Sequence, residues 1–166
     1  QRGAPSKGSY VLRLWLPEKK QLTVGKLGTF EFPPGEYLYF GSALNGLEGR
    51  IRRHLRRDKQ QHWHIDYLSA VASVVGVWWE TGTERRECSL ARAALDLDGA
   101  QMPARGFGSS DCRCPSHLVY LAGDPAMKEE ATKQPIPAPQ ALGLGKDLLE
   151  WRRPPTNPEI ALSLWR

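Results

Sequence analysis

The stretch from Gly35 to Leu55, GEYLYFGSALNGLEGRIRRHL, changes its periodicity within a few residues, and that change restricts the fold more than any other feature. Glu36 to Phe40 is rich in aromatic and other strand-favouring side chains. Gly41, Ser42 and Ala43 then read as a small-residue turn that lets another backbone or a phosphate approach closely. Asn45 is placed to cap a helix, with Glu48 three residues on to reach back in a capping box. Leu47, Ile51 and Leu55 repeat at the i, i+4, i+8 spacing of one helical stripe, which must face the sheet.

The rest of the chain supplies partners for this unit. Ser9 to Leu16 alternates loosely and predicts a first strand, stopped by Pro17. Gln21–Val24 and Thr29–Phe32 predict an inserted hairpin around Gly25 and Gly28, closed by Pro33-Pro34-Gly35. Helical spacing of Ile65, Leu68 and Ala72 predicts a second helix opening in HWHIDYL, residues 62–68, and Val71 to Glu80 reads as another strand. Thr81 to Glu84 can start a third helix with a capping box, running to about Leu95. A glycine-bearing loop from Asp96 to Ser110 leads to an edge strand over Ser116–Leu121. The resulting fold class is α/β in the α+β sense, a small, mainly antiparallel sheet flanked by helices. Residues 7–121 make one domain and 122–166 a Pro-rich extension, which carries seven of the thirteen prolines. In it Pro135 to Pro139 reads as extended, Ala141 to Trp151 as a short helix, and Ile160 to Trp165 as apolar residues docking on the body.

Charge concentrates on the basic helix, where Arg50 to Lys59 holds six Lys or Arg in ten residues within a chain of net charge +5. That favours an anionic partner. Arg50, His54 and Arg57 recur along one edge of the apolar stripe and can reach back over the end of the strand. Arg52, Arg53, Arg56 and Lys59 point outward, as a solvated face or as nucleic-acid contacts. A guanidinium at Arg50, beside a glycine turn and Tyr37 and Tyr39, suits bidentate contact with a phosphate. Glu87 continues the apolar face of Leu90, Ala91 and Ala94, so it needs a partner: the helix dipole, an arginine or a metal ion.

Taken together, these pieces resemble a known superfamily. Tyr39-Phe40-Gly41-Ser42, followed by Arg50 and His54, looks like the second half of the GIY-YIG nuclease signature, and Gly8-Ser9-Tyr10 like the first. HWHIDYL, the helix-borne Glu87 and GFGSSDCRCPSHL at 106–118 resemble a prokaryotic branch of the same superfamily. The order and joint presence of these motifs over Lys7 to Leu121 carry the likeness. It implies an endonuclease hydrolysing DNA, or RNA, in repair or processing. Tyr10 or Tyr39 would act on the water, Arg50 would clamp the scissile phosphate, and Glu87 would bind Mg2+ or Mn2+. His54 is the residue expected to orient Tyr39 or assist proton transfer, with His64 second, and Gly41, Ser42 and Asp66 as further site residues. The superfamily's later asparagine has no counterpart, and Ser110, Asp111 and His117 are candidates for its place. The insertion between Tyr10 and Tyr39 is a second departure from the pattern.

Two other classes compete with hydrolysis. One is a non-catalytic module that binds nucleic acid through the basic helix and exposed tryptophans. The other is a zinc-stabilised interaction domain, since Cys112, Cys114 and His117 are zinc-type ligands that Cys88, His62 or His64 can complete. The spacing lacks paired C-x-x-C clusters, so packed, reduced thiols are the reading taken for the three cysteines. No apolar run approaches the ~20 residues that span a bilayer, and no secretory segment opens the chain, so a cytoplasmic protein without a membrane partner is expected.

Overall fold

Two nine-residue strands, β1 (Gly8–Leu16) and β4 (Gly35–Ala43), pair antiparallel over their whole length, from Gly8 opposite Ala43 to Leu16 opposite Gly35. The computed structural model describes residues 7–43, 46–55, 60–83, 85–96, 99–109, 112–121 and 148–152. Around the central pair, β5 (Ser73–Thr81) adds to β1, and β7 (Leu118–Leu121) adds to β4. The two-residue β6 (Ala100–Gln101) lies outside β7, and β8 (Leu148–Arg152) lies outside β5. The six-stranded sheet therefore runs β6-β7-β4-β1-β5-β8 with every pairing antiparallel. The fold is a small α+β one with few helices, as the sequence predicts.

Residue period decides which core each side chain enters. Tyr10, Leu12, Leu14 and Leu16 of β1 and Tyr37 and Tyr39 of β4 are buried on one face. There they meet Leu47 and Ile51 of α1 (Leu47–Leu55) and Ile65 and Leu68 of α2 (His64–Ser69). Val11, Leu38, Phe40 and Val119 enter the second core, against Leu90, Ala91 and Ala94 of α3 (Glu87–Leu95) and against Cys114. With both faces covered, the central strands are buried almost end to end, so their alternation marks which core a residue enters rather than inside against outside. The expected hairpin forms as β2 (Lys20–Val24) and β3 (Gly28–Phe32), a separate two-stranded sheet whose Val24 and Phe32 cap the first core.

Several elements differ from the sequence reading. Gly41, Ser42 and Ala43 are not a turn: they extend β4, because Gly8, Ser9 and Tyr10 are in register to pair with them. The third helix starts at Glu87 rather than near Thr81, which is still in β5. Leu118–Leu121 is an interior strand, flanked by β4 and β6. Within the span read as a helix from Ala141 to Trp151, residues 148–151 are strand and pair with β5, so the 122–166 segment contributes to the main sheet. The Asn45 cap, the Pro135–Pro139 run and the Ile160–Trp165 docking segment lie outside the described residues, as does the rest of 122–147 and 153–166. No helix among the described residues is long and apolar enough to cross a membrane.

Candidate active site

The β4–β7 ladder stops at Tyr39 opposite Leu118, with one further bond from the Phe40 N–H to the His117 carbonyl. Beyond it, Gly41–Ala43 keep β1 on one side while the neighbouring position is vacated by β7. A cleft of about 320 Å³ opens there, and residues from both faces of the sheet reach it. Tyr10, Tyr39, Arg50 and His64 come from the α1/α2 side, and Ser42, Glu87, Cys112 and His117 from the α3 side. The interruption of the ladder is what lets them share one hollow.

Tyr10 lies directly opposite Gly41 across the β1–β4 ladder. A Cβ at Gly41 would sit 2.4 Å from the Tyr10 phenol oxygen, so only glycine allows the ring to lie over the strand. The phenol is 2.7 Å from Nε2 of His54, which α1 carries into the core at 2% exposure. The expectation that His54 serves Tyr39 is corrected: it bonds Tyr10, and Tyr39 meets only its ring edge, centroids 6.0 Å apart. Burial pushes the Tyr10 phenol up to about 12, with the Arg50 guanidinium pulling the other way. Burial raises Tyr39 as well, reinforced by Tyr10. Tyr37, expected beside Arg50, is instead at the far end of β4, bonded to the Pro33 carbonyl and packed on Tyr120.

Arg50 donates through Nη1 to the Ser42 carbonyl at 3.2 Å and sets its guanidinium 4.6 Å from the centre of the Trp63 ring. Arg53 does not point outward as predicted. It lies 4.1 Å from the same ring centre and makes a fork of 3.0 and 2.9 Å bonds to both carboxylate oxygens of Asp66. Asp66 also accepts the backbone N–H groups of His62 and Trp63, at 2.8 and 2.9 Å. Burial works against this carboxylate, but the Arg53 fork and the two N–H bonds outweigh it and hold the group at about 2. Asp66 thus holds Trp63 and Arg53 in place and does not itself line the cleft.

On the other wall, Ser42 donates to Oε2 of Glu87. Ser9 and Ser42, paired across the ladder, have hydroxyls 3.0 Å apart, and the Ser9 hydroxyl accepts the N–H of Arg86, 3.1 Å away. The start of α3 is therefore tied to the ends of β1 and β4, and Glu87 is the single carboxylate lining the cleft among the described residues. Glu87 with serine and tyrosine hydroxyls is a hard-oxygen set in an open cleft, which fits Mg2+ or Mn2+ retaining several waters. His64 accepts the Gly108 N–H on Nδ1 at 2.8 Å, which puts its own proton on Nε2, and burial lowers its pKa.

The three cysteines, all free thiols, gather with His117 on the α3 side of the cleft, where Cys112 and His117 belong to its lining. Cys88 Sγ is 3.3 Å from Cys112 Sγ and 3.3 Å from His117 Nε2, and Cys112 Sγ is 3.4 Å from the same nitrogen. The ligand atoms of Cys88, Cys114 and His117 lie within 4.8 Å of one another. His62 and His64, weighed as completing ligands, do not join them: His62 is exposed and His64 is bonded to Gly108.

Of the predicted site residues, Tyr10, Tyr39, Gly41, Ser42, Arg50, His64, Glu87 and His117 line one cleft, with His54 directly behind Tyr10. Ser110, Asp111, Arg56, Arg57 and Lys59 lie outside the described residues, as does the side chain of Arg52. Sequence reasoning missed Trp63 as the platform for two guanidiniums, Arg85 on the rim, and Gly108. Gly108 has a φ of +72°, and a Cβ there would meet Tyr39 at 2.9 Å. The available signal was tryptophan between two histidines just after a basic helix, a spacing that brings arginines back over the indole.

The family model described as "Domain of unknown function DUF123" matches residues 9–136, well over half of the chain. No curated protein and no solved structure matches.

Proposed function

For a chain that belongs to the DUF123 family, whose function is unknown, we propose phosphodiester hydrolysis: a divalent-metal-dependent endonuclease acting on DNA. The observation that carries this reading is the meeting, in one solvent-reachable cleft, of two phenols, a guanidinium and, among the described residues, one carboxylate. The resemblance of the same residues to the GIY-YIG signature points the same way.

Hydrolysis needs a base for the attacking water, positive charge on the phosphoryl oxygens and help for the departing oxygen. Tyr10 is the base. A standing phenolate is disfavoured by burial, so Tyr10 takes a proton from water as its own passes to His54 Nε2, 2.7 Å away. Arg50 turns from the Ser42 carbonyl to clamp the phosphate, with Trp63 keeping its guanidinium at the cleft. Tyr39, which burial and the neighbouring Tyr10 keep protonated, stays a neutral hydrogen-bond donor. His64, with its proton on Nε2, is available to hydrogen-bond the departing oxygen. Glu87 and Ser42 would hold the divalent ion, which when bound supplies charge neutralisation at the phosphoryl group.

The test is cleavage of single-stranded, duplex, branched and abasic-site DNA with Mg2+ or Mn2+, comparing wild type with Glu87→Gln. Expected is metal-dependent cleavage of at least one substrate, reduced at least ~100-fold in the variant with DNA affinity retained. Salt-sensitive binding without turnover on any substrate, equal in both proteins, would replace hydrolysis with a binding module.

A further inference from the structure

We propose that Cys88, Cys112, Cys114 and His117 bind one zinc ion in a closed tetrahedral site. This inference is independent of the reaction assigned to the cleft. Zinc bonds of ~2.3 Å to sulfur and ~2.05 Å to nitrogen put tetrahedral S···S edges at about 3.8 Å and S···N edges at about 3.5 Å. The cluster already has edges of 3.3, 3.3 and 3.4 Å, with the third sulfur within 4.8 Å of the Cys88 and His117 ligand atoms. Three of the edges need adjustments of a few tenths of an ångström; Cys112 stands outside the mutually close set of Cys88, Cys114 and His117, so the Cys112–Cys114 edge must close by about 1 Å to complete the polyhedron. Three thiolates and an imidazole are soft and borderline donors that select zinc over magnesium.

Two further features fit a ligand set rather than packed thiols. A histidine that binds metal donates its other ring N–H to a neighbouring acceptor, which fixes the tautomer. His117 presents Nε2 to the sulfurs of Cys88 and Cys112, which leaves Nδ1 for such a bond. The second feature is the segment that supplies three of the four ligands. Between Gln101 and Leu118 no helix or strand occurs among the described residues, and a stretch that long needs internal fixings. It has backbone bonds from Gly106 to Pro115 and from His117 to Phe107, and among the described residues its tie to α3 through polar side chains runs through the sulfur cluster. Zinc there pins the first turn of α3, and so Glu87, to the wall that carries Cys112 and His117.

The experiment uses the full chain, purified in reductant, loaded with excess zinc and desalted. Expected are one equivalent of zinc by elemental analysis and three thiols protected from a disulfide reagent until a chelator is added. Cobalt exchange should give the thiolate charge-transfer and tetrahedral d–d bands of a site with three sulfur ligands and one nitrogen. Cys114→Ser should weaken zinc retention at least ~10-fold and alter the cobalt spectrum. Should that variant fail to fold, the wild-type readings decide alone. Substoichiometric zinc with three reactive thiols, or a Cys88–Cys112 disulfide in protein prepared without air, would overturn the proposal. None of these readings depends on cleavage, so a zinc site with no nuclease activity, or the reverse, separates the two inferences.

Discussion

Asp66→Asn tests whether the wall of the cleft is held electrostatically. In the wild type one carboxylate oxygen accepts from Arg53 Nη2, His62 N and Trp63 N, and the other accepts from Arg53 Nη1. An amide keeps the shape but offers one oxygen and one NH2 group, so whichever way it turns, a donor faces a donor. Losing a charge-assisted fork and leaving part-buried donors poorly satisfied costs about 2–3 kcal/mol. The depressed pKa that the same contacts produce gives a second magnitude. The Asp66 carboxyl is held at about 2 against an ordinary 3.8. A depressed folded-state pKa contributes stability above the unfolded value, here on the order of 2 kcal/mol, and that contribution is lost as pH falls through the folded value. The gap between wild type and Asp66→Asn in urea unfolding should therefore be full at neutral pH and shrink from about pH 4 toward pH 2. Because Asp66 also fixes Arg53 over Trp63, the variant should bind DNA more weakly where it is folded. A gap that stays constant across that pH range would refute the electrostatic account, since a packing defect does not titrate.

Two other substitutions probe the frame. Gly41→Ala places a methyl 2.4 Å from the Tyr10 oxygen and 2.5 Å from Cζ, so the ring must move by about 1 Å. A displacement of that size costs a catalytic geometry ~100-fold, measurable in single-turnover cleavage, with loss of activity exceeding loss of folded protein. Arg13→Ala breaks a 2.9 Å ion pair with Glu36 whose side chains are 1% and 6% exposed. An uncompensated buried carboxylate should lower stability by about 3–5 kcal/mol in thermal unfolding, and a change under about 1 kcal/mol would count against the pair.

The central strands, the hairpin and the basic helix were legible because their signals are local: aromatic runs, Pro-Pro-Gly and Gly punctuation, and an i, i+4, i+8 stripe. The β4 boundary was not, because Gly41-Ser42-Ala43 has turn-like composition and becomes strand only through pairing with Gly8–Tyr10, some thirty residues away in sequence. Arg53 illustrates a similar limit. Its place on the helix suggested the outer surface, yet α2 packs close enough for Asp66 and Trp63 to turn it inward. The gathering of the thiols was not legible because no short-range C-x-x-C pair exists, whereas Cys88 and His117 are joined only when α3 packs across β4 and β7.

That packing bears on both proposed metals at once. Glu87 and Cys88 are consecutive in the first turn of α3, yet they look in different directions: the carboxylate toward Ser42 and the cleft, the thiol toward Cys112 and His117. Successive helical residues diverge by about 100°, so one short turn can present a hard oxygen to the open middle of the cleft and a soft sulfur to the cluster in its wall. Magnesium has no use for the sulfur side, and zinc with four protein ligands has no vacancy for substrate. The backbone between the two residues makes the positions of the two sites interdependent. Removal of zinc should therefore impair cleavage by loosening the Glu87 wall, and added magnesium should not restore it.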